Sequence, residues 1–233
     1  MQPVWDDPRV ERGLRAQLDL RRRRLAEGDR PVGWKVAFGA PQAMQLLGLG
    51  APLVGFLTSR ALVEPGATVS VAGWTKPAAE AEIAVHMGSD LGPSASREET
   101  QAAIAALGPA IELADIDRPI EELETVLAEN IFQRGVVLGP ADSSRARGDV
   151  TEIRARTACD GAELGTTDDP EALTGELIGV IAHVAALLAA FGETLRAGEV
   201  VIAGAVLPHV WPSAGQRVEV EIEPLGRLDV TVE

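Results

Sequence analysis

The chain has 233 residues, 46% of them hydrophobic, with 24 Gly and 15 Pro, which suits one compact globular unit. A formal charge of −14 repels nucleic acid and anionic lipid, so neither is an expected partner. The single Cys159 excludes an internal disulfide and fits a reducing compartment. No signal-peptide core opens the sequence, and the longest apolar run, LIGVIAHVAALLAAFG, is too short to span a bilayer, so a cytoplasmic location is expected.

In chain order, residues 9–27 are charged and leucine-containing and predict an amphipathic helix, within an N-terminal helical segment over 1–30. The arginine run at 21–24 reads as its solvated face. Residues 31–233 are expected to form the main unit. GWKVAF predicts a strand leading into GAPQAMQLLGLGAPLVGFL, a Gly- and Pro-rich loop around a short helix. ATVSVAG predicts a strand, and so does the following KPAAEAEIAVHMG. Residues 96–107 carry a helical pattern, with Ser96 and Glu99 spaced as a capping box. PAIELADID predicts a buried strand, PIEELETVLAEN a helix, and GVVLG and TEIRARTACDG strands. Residues 171–191 predict a long buried helix closed by Gly192. EVVIAGA, QRVEVEIEP and RLDVTVE predict three final strands. Strands dominate and βα alternation is irregular, which argues for an α+β fold with a mixed sheet or roll.

Period-two alternation in KPAAEAEIAVHMG puts Ala79, Ala81, Ile83, Val85 and Met87 on one strand face. Glu80, Glu82, Ala84 and His86 fall on the other. Paired carboxylates on one face suit a hard-cation site, but they equally suit a wet surface strand. VEVEIEPLG repeats the alternation with Glu219, Glu221 and Glu223, and reads as a hairpin arm with a solvated face. Spacing alone does not separate the two readings. Glu112, alone among Ile111, Leu113 and Ala114, is costly to bury unless it is paired or meets a cation. With Glu80 and Glu82 it makes an all-oxygen set suited to Mg²⁺ or Mn²⁺ rather than zinc. Lys35 and Lys76 are the two lysines in a chain that otherwise uses arginine, which draws attention to them as compact, titratable amines.

The motifs GWKVAFG, LGLGAPLVGFL, KPAAEAEIAV, PAIELADIDRP, AENIFQRGVVLG and LAAFGETLRAGEVVIAGA follow in this order. The series resembles the 2-keto-4-pentenoate hydratase group of the fumarylacetoacetate hydrolase superfamily over nearly the whole chain. The resemblance implies a mixed β-roll with flanking helices and a Mg²⁺ or Mn²⁺ ion held by Glu80, Glu82 and Glu112. It implies catalytic roles for Lys35, Asp117 and Arg118, and places Asn130, Phe132 and Arg134 at the substrate. Phe132 and Arg134 stand where relatives carry small hydroxyl residues, which implies a narrowed pocket and an added anion contact. Ala205 and Val206 stand where Ser or Thr is common. His86 is weighed as a fourth ligand, His183 as a core histidine, and His209 as a loop residue able to approach the site.

The activity implied is hydration of a 2-hydroxy-2,4-dienoate (2-oxo-4-enoate) in aromatic-compound catabolism, by a homo-oligomer acting on a small 2-oxo acid. A 2-oxo-3-enedioate decarboxylase shares the motifs. A third reading, prompted by the altered pocket residues, is a partner subunit without turnover.

Overall fold

The computed structural model describes residues 3–233. Asp7 caps the first helix, α1 (Pro8–Ala26), by accepting from the Arg9 amide at 2.8 Å, with Pro8 in the first turn. Then follow β1 (Pro31–Ala37), α2 (Pro41–Leu47), β2 (Leu53–Thr58), β3 (Leu62–Val63), β4 (Thr68–Val69) and β5 (Pro77–Met87). The middle of the chain holds α3 (Arg97–Ala103), β6 (Ile104–Asp115), α4 (Leu123–Ala128), β7 (Gln133–Leu138), β8 (Arg154–Cys159) and β9 (Ala162–Thr167). Last come α5 (Leu177–Ala190), β10 (Val200–Ala205), β11 (Arg217–Glu223) and β12 (Gly226–Val232). No described helix is long and apolar enough to cross a membrane.

Two sheets result. The larger runs β2-β1-β10-β5-β6-β7-β3, with β1–β10 and β3–β7 parallel and the other pairs antiparallel. The smaller runs β4-β12-β11-β8-β9. This is the α+β mixed roll expected, with curled sheets and flanking helices. Helix α1 packs on α4: Gln17 donates to the Leu127 carbonyl at 2.9 Å, and a Cβ on Gly13 would stand 2.6 Å from the Leu127 Cβ. Helix α1 is therefore docked directly against α4.

Several local expectations are corrected. The arginine run is not a uniformly wet face: Arg21 is buried with its guanidinium 4.7 Å from the Trp34 ring centroid, and Arg24 lies over Phe56. LVGFL is not loop but the wholly buried β2, whose apolar residues find β1 as a partner. The capping box at Ser96 and Glu99 forms, but the helix stops at Ala103 because residues 104–107 join β6. The long helix starts at Leu177, not 171, and Gly192 closes it with φ 79°. ATVSVAG keeps only the two paired residues of β4.

Candidate metal centre and cavity

Cross-strand register builds the site. Glu80 on β5 lies directly opposite Glu112 on β6, and Glu82 lies opposite Ala110. Direct partners point to one sheet face, so the three carboxylates converge. One oxygen from each lies within 4.8 Å of those of the other two. Lys35 reaches the same face from β1, through its partner Ile202 on β10 and then Ala84 on β5. Next to the carboxylates, Ala84, Ala110, Val136, Val200 and Ile202 form a small apolar cluster with Leu57 and Ala61. The wet-face reading of β5 is thereby overturned: Glu82 and Glu112 are fully buried. The comparison strand β11 behaves as a solvated hairpin arm, with Glu221 exposed enough to pair with Arg227 at 2.9 Å.

The polar contacts of the centre are few. Gly204 donates its N–H to Glu82 Oε2 at 2.6 Å, from a β10 bulge with φ 98°. Lys35 Nζ lies 2.9 Å from Glu112 Oε1 and donates to the Ile131 carbonyl at 2.9 Å. The approach to Glu112 is off the line of a hydrogen bond. Glu82 Oε1 and both oxygens of Glu112 therefore have no hydrogen-bond donor, although they are buried. Burial and the neighbouring charges of Glu112 and Glu80 push the Glu82 carboxyl well above its ordinary value. Burial raises Glu112 to about 7, against the opposing pull of Lys35. Burial alone would lower the Lys35 amine, but the surrounding carboxylates, Glu112 foremost, outweigh it and hold the ammonium above its usual range. Crowded carboxylate oxygens without donors fit a hard divalent cation, which would satisfy all three at once. Glu80, Glu82 and Glu112 are the residues able to hold it.

A cleft with two lobes, about 440 and 310 Å³, opens beside Glu80. Phe38, Ala43, Glu80, His209 and Trp211 border both. The larger continues to Thr174, Gly204 and Ala205, and the smaller to Lys35, Ile116, Ile120, Ile131 and Phe132. His209 Nε2 stands 3.5 Å from Glu80 Oε1, as its loop position suggested. Trp211, edge-on to His209, is covered by Lys76 at 4.0 Å.

The other expected site residues divide. Phe132 lines the smaller lobe. Asn130 is buried, but its side chain accepts from the Phe56 amide at 2.8 Å and donates to the Phe56 carbonyl at 2.9 Å, so it clamps β2 instead of facing the cleft. Asp117, Arg118 and Arg134 line neither lobe. Asp117 accepts from both arginines at 3.0 and 3.1 Å, and Arg118 also reaches Glu129 at 2.6 Å. Their charges are spent on one another at the end of β6. His86 lies outside the carboxylate group, and His183 is a core histidine with Nε2 2.8 Å from the Pro52 carbonyl.

Two contributors escaped sequence reasoning. Gly204 had a signal, a glycine inside an apolar strand, which marks a bulge. The Ile131 carbonyl had none. It is aimed by three successive left-handed residues, Asn130 (φ 70°), Ile131 (φ 51°) and Phe132 (φ 62°). That conformation is strained for a β-branched residue and persists only where surrounding contacts impose it.

Residues 36–233 match the family model described as fumarylacetoacetate (FAA) hydrolase C-terminal. The chain is 32% identical to a 2-hydroxyhexa-2,4-dienoate hydratase of Comamonas testosteroni, covering 95% of this chain and 85% of that protein. It is also 32% identical to a 4-oxalocrotonate decarboxylase of a Pseudomonas species, covering 88% of this chain and 80% of the relative. The fold is shared with the 4-oxalocrotonate decarboxylase of Pseudomonas putida G7 complexed with magnesium and adipate, at TM-score 0.88 and 24% identity over 100% of this chain and 90% of that one.

Proposed function

Because the chain belongs to the fumarylacetoacetate hydrolase family, we propose that it is a metal-dependent hydratase of 2-hydroxy-2,4-dienoates. The observation that carries this reading is the group of three donor-poor carboxylates with the Lys35 ammonium beside it at a cleft wall. Glu80, Glu82 and Glu112 would hold Mg²⁺ or Mn²⁺. A bound ion supplies Lewis acidity toward the carboxylate and 2-oxo oxygens of the substrate. The rest falls to the chain. Gly204 fixes Glu82 by one oxygen and leaves the other free. Lys35 has three N–H donors; one goes to Ile131 and one side faces Glu112, which leaves a proton to offer toward the cleft. Net hydration removes the enol proton, protonates a carbon of the diene and adds one water across the remaining double bond. Lys35 Nζ holds and delivers a proton in that sequence. Asp117, Arg118 and Arg134 brace the end of β6, and Asn130 acts through the backbone it clamps.

The decarboxylase is the second reading, favoured by an equally similar relative of that name. Incubation with Mn²⁺ separates the two. Hydration of 2-hydroxypenta-2,4-dienoate is the result expected. Carbon dioxide release from 2-oxohex-3-enedioate with no hydration of the dienoate would replace the hydratase, and no turnover of either would favour the partner-subunit reading. A homo-oligomer belongs to the proposal, since Leu46, Leu62, Leu164 and Trp211 are exposed on a single chain. The active preparation should therefore exceed the 24.5 kDa of one chain by light scattering.

A further inference from the structure

The charge on the cleft walls bears on the far end of the substrate, given the 2-oxo acid site proposed above, on which this inference rests. The chain has 21 lysines and arginines, and among the described residues Lys35 alone of them lines either lobe. Its ammonium is already matched by Glu112 and Ile131. Arg118 and Arg134 are held by Asp117 and Glu129, outside both lobes. His209 faces Glu80, so any positive charge on it is met there. Lys76 is exposed and lies on the Trp211 ring at 4.0 Å, outside both lobes. A second carboxylate seated among Ile116, Ile120, Ile131 and Phe132 would lose water with no counter-charge but the matched Lys35 lining that lobe, which is strongly unfavourable. The smaller lobe, about 310 Å³, is of the size that encloses larger organic ligands and leaves room beyond a bare dienoate.

We propose that the substrate carries an uncharged apolar tail, alkyl or aryl, seated among Ile116, Ile120, Ile131 and Phe132, and that acids with a terminal carboxylate are rejected.

Calorimetry on the Mn²⁺-loaded protein tests this without turnover, using 2-oxopentanoate, 5-phenyl-2-oxopentanoate and 2-oxohexanedioate as probes. The phenyl acid should bind at least about tenfold more tightly than 2-oxopentanoate, through the apolar area it buries. The dicarboxylate should bind more weakly than either. Ile120→Arg, a change at a half-buried position beside the exposed Pro119, should reverse the order in favour of the dicarboxylate. Binding of the dicarboxylate as tight as that of the phenyl acid overturns the proposal, as does failure of all three acids to bind, or an unchanged order in the arginine variant. The outcomes separate from those of the hydratase assay. Dienoate hydration with a preference for the dicarboxylate sinks the tail proposal alone, and a phenyl preference without hydration sinks the hydratase alone.

Discussion

At the scale of single residues, the same Glu-x-Glu alternation has two fates, decided by what lies opposite. Glu80 faces Glu112 across β5 and β6, whereas Glu221 faces Arg227 and Arg156 across the neighbours of β11. The first arrangement concentrates negative charge, and the second neutralises it at the surface. Glu80→Gln and Glu221→Gln are near-isosteric and each removes one charge. Titrated with Mn²⁺ by calorimetry, Glu80→Gln should lose at least ~1.4 kcal/mol, a tenfold drop in affinity. Glu221→Gln should match the parent. Equal affinity in both variants would mean that the convergence on β5 and β6 does not hold an ion. Much of this centre was legible: period two found Glu80 and Glu82, and the cost of burying a lone carboxylate marked Glu112. Their register was not legible, because strand pairing is set by long-range packing that local spacing does not encode.

At the scale of elements, the turn from α4 into β7 ties together strands far apart in sequence. Asn130 satisfies both backbone groups of Phe56 in β2, which leaves Ile131 free to present its carbonyl to Lys35 on β1. The resemblance singled out Asn130, yet a sequence motif cannot say whether an amide meets a ligand or a strand. For the same reason β2 was missed: LVGFL follows glycines and a proline that read as loop, and only the partner β1 makes it a strand. Asn130→Ala should leave the Phe56 N–H and carbonyl buried without partners and release a strained turn. A loss of about 3 kcal/mol in denaturant unfolding is expected, with each unmet group costing ~1–3 kcal/mol. A loss under about 0.5 kcal/mol would show that the left-handed turn stands without the clamp.

For the whole molecule, the buried carboxylates make stability depend on pH in an unusual direction when no cation is bound. Most shifted surface acids, such as Asp7 and Asp142, are lowered by hydrogen bonds to neighbouring groups, and they stabilise the fold above their unfolded values. Glu112 does the reverse. Its folded value of about 7 exceeds the ordinary 4.5, so the folded chain keeps a proton that the unfolded chain releases. Stability from this group is fully present below about pH 4.5 and is lost as pH rises through 7. Glu82, raised by burial and by its carboxylate neighbours, pulls the same way. His86 and His183, lowered by burial, oppose it, since the folded protein resists protonating them below their ordinary 6.5. The raised Lys35 acts only at alkaline pH. Comparing the parent with Glu112→Gln removes the histidine contribution from the difference. In chelator-treated protein, the parent should lose stability relative to the variant between pH 5 and 8, by up to ~3 kcal/mol in denaturant unfolding. Saturating Mn²⁺ should close that gap at pH 8, because the ion then balances the charge that the proton balanced at pH 5. A parent curve parallel to the variant's across this range, with or without Mn²⁺, would show that the carboxylates are not thermodynamically linked to proton and metal.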